Sequence, residues 1–203
     1  MPKIVDHEAR REEIARALWR IVRRDGIGTV SVRTVATEAG SSAGAVRYYF
    51  PDQAGLLSFA MELVSRRVTA RIEALQPSGS PGASAVRYLE EVIPLDAGRR
   101  AEFEVWLAFV AQSLAETEVG GAMRRHLGTV HQELHTLCRR VLDGLRDAGA
   151  LRAGLNLTLE TERLHGLVDG LSLHAATDRD QMSPRRVREI LRRHLAELGP
   201  DPT

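Results

Sequence analysis

Three positions within residues 32–50, V-R-T-V-A-T-E-A-G-S-S-A-G-A-V-R-Y-Y-F, are constrained in both type and spacing. Ala36, Gly40 and Val46 take the first, fifth and eleventh places of a pattern counted from Ala36. A small residue lets one helix cross close over another. A glycine at the fifth place supplies a turn with positive φ, and a branched apolar residue at the eleventh buries the inner face of the second helix. The outer face of that second helix stays free and carries Arg47, three positions after Gly44. A guanidinium fork placed there can reach guanine O6 and N7 in a major groove. The chemistry this spacing predicts is recognition of duplex DNA by a helix-turn-helix.

Glycine and proline cut the rest of the chain into helical stretches. The stripe Ile14, Leu18, Ile21 and Val22 predicts a first helix over about 6–24, stopped at Gly26. Ser31 is a cap candidate for the second helix, and Ser41 or Ser42 for the third. A fourth opens at Asp52 with the stripe Leu56, Phe59, Leu63, Val68 and Ile72, before a Pro/Gly/Ser run over 77–82 breaks the pattern. Further helices are predicted over about 83–93, 99–116, 119–148, 159–176 and 184–198, the last opened by Ser183 and Pro184. No stretch alternates with period two. The predicted class is all-α with nine or ten helices: a three-helix head, residues 1–52, joined to a larger helical body, residues 53–203.

Charge supports that division only weakly. The net charge is +1, yet residues 1–75 hold 12 basic against 9 acidic side chains, and the remainder 16 against 18. A basic head on an acidic body is the direction DNA binding requires. The longest apolar run, residues 105–111, is far too short to cross a bilayer. Met1-Pro2-Lys3 leads into charged residues rather than a signal-peptide core. The lone Cys138 has no partner for an internal disulfide. Together these features predict a cytoplasmic protein with no membrane contact.

The head resembles the TetR family of bacterial transcription regulators through Thr29-Val30-Ser31, Val35-Ala36, Ala39-Gly40, Gly44 and Tyr48-Tyr49-Phe50-Pro51. The body is similar to the BetI-like branch through R-A-E-F-E-V-W-L-A-F, residues 100–109, and L-H-G-L-V-D-G-L, residues 164–171. The resemblance implies a ligand-responsive regulator, most simply a repressor. Its homodimer would bind a near-palindromic operator and be released by a small molecule held in the body. It further implies that Arg33 meets a phosphate or a base, and that the Tyr48 and Tyr49 hydroxyls meet phosphates, which position without specifying. Thr34, Ser42, Ala43 and Gly44 complete the implied DNA-facing set, the small residues lying where the recognition helix enters the groove. Gln53 stands where relatives carry lysine, implying a phosphate hydrogen bond without a charge and a shallower salt dependence. Arg47 replaces an aromatic common in the family and is expected to read sequence.

Two further clusters belong to the body. Leu164, Leu167 and Leu171 form one stripe; Val187, Ile190, Leu191 and Leu195 form another. Gly166 and Gly170 lie one turn apart and flatten a helix face, at about 1 kcal/mol each relative to alanine. These residues either meet a second copy of the chain or pack within one. Phe103, Trp106, Phe109 and Val110, with His131, are candidates to line a cavity for a partly apolar effector, or else to pack a core. The Trp106 face could also hold a cation. Glu102 and Glu104 are expected to face solvent or cap nearby groups. His131 and His135 have a spacing that can hold a metal, but there is no HExxH and no further ligand adjacent in sequence. His126, His165 and His174 look scattered, and Cys138 reads as a small buried residue. No metal or cofactor is expected. With no nucleophile elbow and no phosphate-cradling glycine loop, neither is an enzyme.

Overall fold

The computed structural model describes residues 6–115, 121–178 and 180–200. Among them are nine α-helices, one short 3-10 turn and no strand: α1 (His7–Asp25), the turn Ile27–Thr29, α2 (Val32–Glu38), α3 (Ala43–Tyr49), α4 (Gln53–Ala74), α5 (Pro81–Glu90), α6 (Ala97–Ala115), α7 (Gly121–Asp147), α8 (Leu157–Thr177) and α9 (Pro184–Glu197). The fold is all-α, as the periodicity predicts. The predicted helix ends at Glu116 and Val119 lie outside the described residues.

Helix ends follow side-chain chemistry. Asp6 accepts from the Glu8 and Ala9 amides to open α1, Ser42 accepts from Ala45 to open α3, and Ser183 accepts from Arg186 to open α9. Ser80 caps α5, with Pro81 in the first turn. None of the described helices is long and apolar enough to cross a membrane.

The chain divides into two compact units, one from the described parts of Met1–Arg67 and Glu104–Gly128, the other from those of Val68–Phe103 and Thr129–Thr203. The boundary inside α4 falls later than residue 52, because Leu56, Phe59, Ala60, Met61 and Leu63 are buried in the first unit's core. That core also holds Ile14, Leu18, Trp19, Val35, Val46 and Phe50 from the head, with Val105 and Phe109 of α6. The buried indole of Trp19 donates to the Ala60 carbonyl at 3.1 Å, so burying it leaves no unmet donor. Arg11 and Arg67 lie over the Phe59 and Trp19 rings at 4.2 and 4.7 Å.

The second unit buries Val86 and Leu89 of α5, Leu142 of α7, Leu164 and Val168 of α8, and Val187 and Leu191 of α9 in one core. Beside it lies a partly buried ion network. Arg71 reaches Glu102 at 2.9 Å and Glu91 at 3.1 Å, and Arg99 reaches Asp96 at 2.7 Å. Glu102 is only 6% exposed, which corrects the expectation that it faces solvent: in the interior a carboxylate needs a cation, and Arg71 supplies it. Glu104 is half-buried and pairs with Arg23 at 2.8 Å in the first unit.

Candidate DNA-binding site

The turn between α2 and α3 has the geometry its sequence predicts. Gly40 adopts φ 58°. The Gly40 amide donates to the Thr37 carbonyl at 3.2 Å and the Ser41 amide to the Ala36 carbonyl at 2.8 Å, a Schellman closure. A side chain at position 40 would strain that left-handed backbone. Ala36 and Val46 are buried at 3% and 0% exposure, so both helices press one face inward. Ser42, rather than Ser41, caps α3.

The rest of α3 faces out. Arg47 is exposed, as are Gly44, Ala45 and Tyr48, while Ala43 is half-buried. Arg33 at the start of α2 is also exposed. Neither Arg33 nor Arg47 has an ion pair among the described residues. Other head arginines differ: Arg20 and Arg24 both bind the Glu38 carboxylate, at 2.7 and 3.0 Å. Those two hydrogen bonds, Arg20's first, hold the Glu38 carboxyl below its usual range. Two untied guanidiniums beside two exposed small residues make a surface on which an anionic groove can sit closely.

Three expected contacts are placed differently. Thr34 belongs to a capping box: its amide donates to Ser31 Oγ at 3.1 Å, the Ser31 amide donates to Thr34 Oγ1 at 2.9 Å, and that hydroxyl lies 3.0 Å from the Thr29 carbonyl. Its polar atoms therefore serve the start of α2. The Gln53 amide nitrogen donates to the Val30 carbonyl at 2.8 Å, tying the first residue of α4 to the chain entering α2. This bond from Gln53 helps position the helix-turn-helix and leaves its second amide N–H and its carbonyl oxygen available. Tyr49 packs half-buried against the first unit's core, whereas Tyr48 is 72% exposed.

The body candidates scatter. Phe109 is fully buried in the first unit's core, with Trp106 packed against that core. Val110 is half-buried in the same unit, while Phe103 is half-buried in the second. Two cavities in the second unit, of about 50 and 310 Å³, are lined by none of the five expected ligand residues; the larger is bounded by Ala83, Leu145, Arg192 and Leu195.

His131 is exposed, but its ring lies 4.5 Å from that of His165, and His135 lies 6.0 Å from the same ring. His165 is therefore not scattered. It is buried, 3.5 Å from Asp169, and burial together with the two neighbouring imidazoles pushes its pKa down against the pull of Asp169. Burial raises the Asp169 carboxyl. Periodicity could not reveal this seam, because His165 is on α8 and the other two are on α7. No group of three or more ligating side chains among the described residues is arranged to hold a metal. Cys138 is buried and its thiol is pushed up to about 12, mainly by burial, so it is protonated and inert at neutral pH.

Of the nine expected dimer residues, Leu164, Leu171, Val187, Leu191 and Leu195 are buried within the chain itself. They pack in the second unit's own core. Leu167 and Ile190 are half-buried against the same core, whereas Gly166 and Gly170 are exposed.

An all-helical chain with an outward-facing recognition helix is a helix-turn-helix regulator in form, and comparison with known proteins gives the family. A family model described as the BetI-type transcriptional repressor, C-terminal, matches residues 81–200. The HTH-type transcriptional regulator PksA of Bacillus subtilis is 35% identical over 199 residues, covering 98% of this chain and 94% of that protein. Among solved structures, a transcriptional regulator from Rhodococcus sp. Rha1 superposes with a TM-score of 0.78 at 23% identity, covering 93% of this chain and 95% of its own. A protein from Saccharomonospora viridis, solved in complex with choline, superposes at 0.72 with 22% identity, covering 94% and 95%. The chain belongs to the TetR family of transcriptional regulators, with a BetI-type C-terminal region. The family is one of regulators, not enzymes.

Proposed function

We propose that this chain is a cytoplasmic repressor whose homodimer binds a near-palindromic operator and is released by a small molecule bound in the helical body that follows the helix-turn-helix head. The observation that carries the DNA reading is the two-faced α3: Val46 is fully buried while Arg47 and Tyr48 stand exposed beside it. Arg47 reads base edges, Arg33 and Tyr48 hold phosphates, and Ser42, Ala43 and Gly44 permit close approach.

The dimer reading draws on α8. Leu159 and Leu173 are exposed at 54% and 43%, on a line through Gly166 and Gly170. A Cβ added at either glycine would meet nothing within 4 Å, so packing inside the chain gives no reason for glycine there. Close approach of a second copy does. For the effector, the shared fold of the choline-bound Saccharomonospora protein favours a small molecule with cationic or apolar character. Phe103 and His131, both in the second unit, remain candidates for its contacts. The effector acts only through its differential affinity for the binding and non-binding arrangements of the heads.

Selection of genomic fragments on the purified chain tests the reading. It should return sites with two inverted half-sites roughly one helical turn apart, about 10 base pairs centre to centre or a multiple of it. Sedimentation should give the mass of a dimer. A single asymmetric site occupied by a monomer would contradict it.

A further inference from the structure

His7 is the first residue of α1, immediately after the Asp6 cap, and it is exposed. Its ring centroid lies 5.7 Å from that of Tyr49 and 6.1 Å from that of Tyr48, and the two tyrosines meet edge to face at 5.1 Å. Two phenols and an imidazole therefore gather where the first turn of α1 meets the last turn of α3. No hydrogen bond occupies the polar atoms of these three rings among the described residues.

The charges around His7 are already engaged. Asp6 Oδ1 accepts from the Glu8 and Ala9 amides at 3.1 Å each. The Glu8 carboxylate binds Arg66 of α4 at 2.6 Å and Arg11 at 3.7 Å. Arg10 is paired with Glu13. From α3, the facing groups are the two phenols. Among the described residues none of these carboxylates makes an ion pair with the imidazole, while ring contacts restrict how the three side chains can turn.

We propose that His7 belongs to the DNA interface, where its ring holds Tyr48 and Tyr49 in place and its own nitrogen donates to a backbone phosphate, taking up a proton as the complex forms. This rests on the reading of α3 as the DNA-facing helix. A phosphate favours the charged form of an adjacent imidazole, and histidine is the side chain whose proton can be exchanged near neutral pH. DNA binding then tightens as pH falls, and the α1 N-terminus contributes a contact that the helix-turn-helix pattern does not contain.

Two substitutions separate holding the tyrosines from donating to the phosphate. His7→Phe keeps a ring against the tyrosines but cannot donate, while His7→Ala removes both. Affinity for a random-sequence duplex of about 30 base pairs is measured at fixed low salt at about pH 8 and about pH 6, with thermal melts of each variant. The wild type should tighten about threefold or more on acidification. His7→Phe should match the wild type at the higher pH and lose the tightening. His7→Ala should be weaker at both values. A His7→Phe protein that keeps the wild-type pH dependence overturns the proposal. A wild type that binds no duplex at either pH instead overturns the reading of α3.

Discussion

Replacing Phe109 by alanine should cost about 3–5 kcal/mol of folding stability, the usual loss when a fully buried aromatic leaves a void. Phe109 has no exposed surface and shares its core with Val105, Leu18 and Val46, residues of different helices that cannot all close on the gap. In a chain of this size that loss lowers the melting temperature by roughly 10 °C. Chemical denaturation should show a shifted midpoint with an unchanged slope, because native and unfolded surfaces stay the same. The competing reading, in which Phe109 lines an effector cavity, predicts near-normal stability with effector response lost. Stability within about 1 kcal/mol of wild type would restore that reading.

The second large effect concerns the Arg71 network. Arg71→Ala should destabilise by about 2 kcal/mol, below the 3–5 typical of a fully buried pair because Arg71 is itself partly exposed. The cost arises at Glu102, whose carboxylate is buried, accepts from Arg71 Nη1 at 3.2 Å and has its other oxygen 2.9 Å from Arg71 Nη2 as an ion pair. Glu91 adds a second acceptor at 3.1 Å. Glu102→Leu removes the charge that needs pairing, so Arg71→Ala should cost less in that background than alone. Unfolding the two single variants and the double variant gives the coupling directly. Additive losses would mean that the two side chains do not act as a pair.

How far the sequence could be read depended on the range of the interaction. Caps and turns are local, so the Ser31 and Ser183 caps and the positive φ of Gly40 were all visible as residue types at fixed offsets. The spacing Ala36–Gly40–Val46 located the recognition helix for the same reason. Pairings between distant positions left no such trace. The ring of His165 meets those of His131 and His135 across two helices, and Arg71 meets Glu102 from 31 positions away. Side-chain commitment was also hidden: Thr34 and Gln53 have the right types for DNA contact, yet the Thr34 hydroxyl and one Gln53 amide N–H are drawn onto the chain's own backbone. Stripes proved equally ambiguous. Leu164 and Leu191 satisfy a helical repeat whether the covering surface is a second copy or the same chain, and only burial distinguishes the two.

The most direct test is fluorescence anisotropy of the wild type and of Arg47→Ala, each titrated with a duplex from upstream of the chain's own coding sequence and with a scrambled duplex. The wild type should prefer its own sequence. Arg47→Ala should lose about 1–3 kcal/mol on that duplex, roughly fivefold to 150-fold in affinity, and much less on the scrambled one. An Arg47→Ala protein with wild-type affinity and discrimination, or a wild type that binds neither duplex at low salt, would contradict the assignment of α3 as the DNA-reading helix.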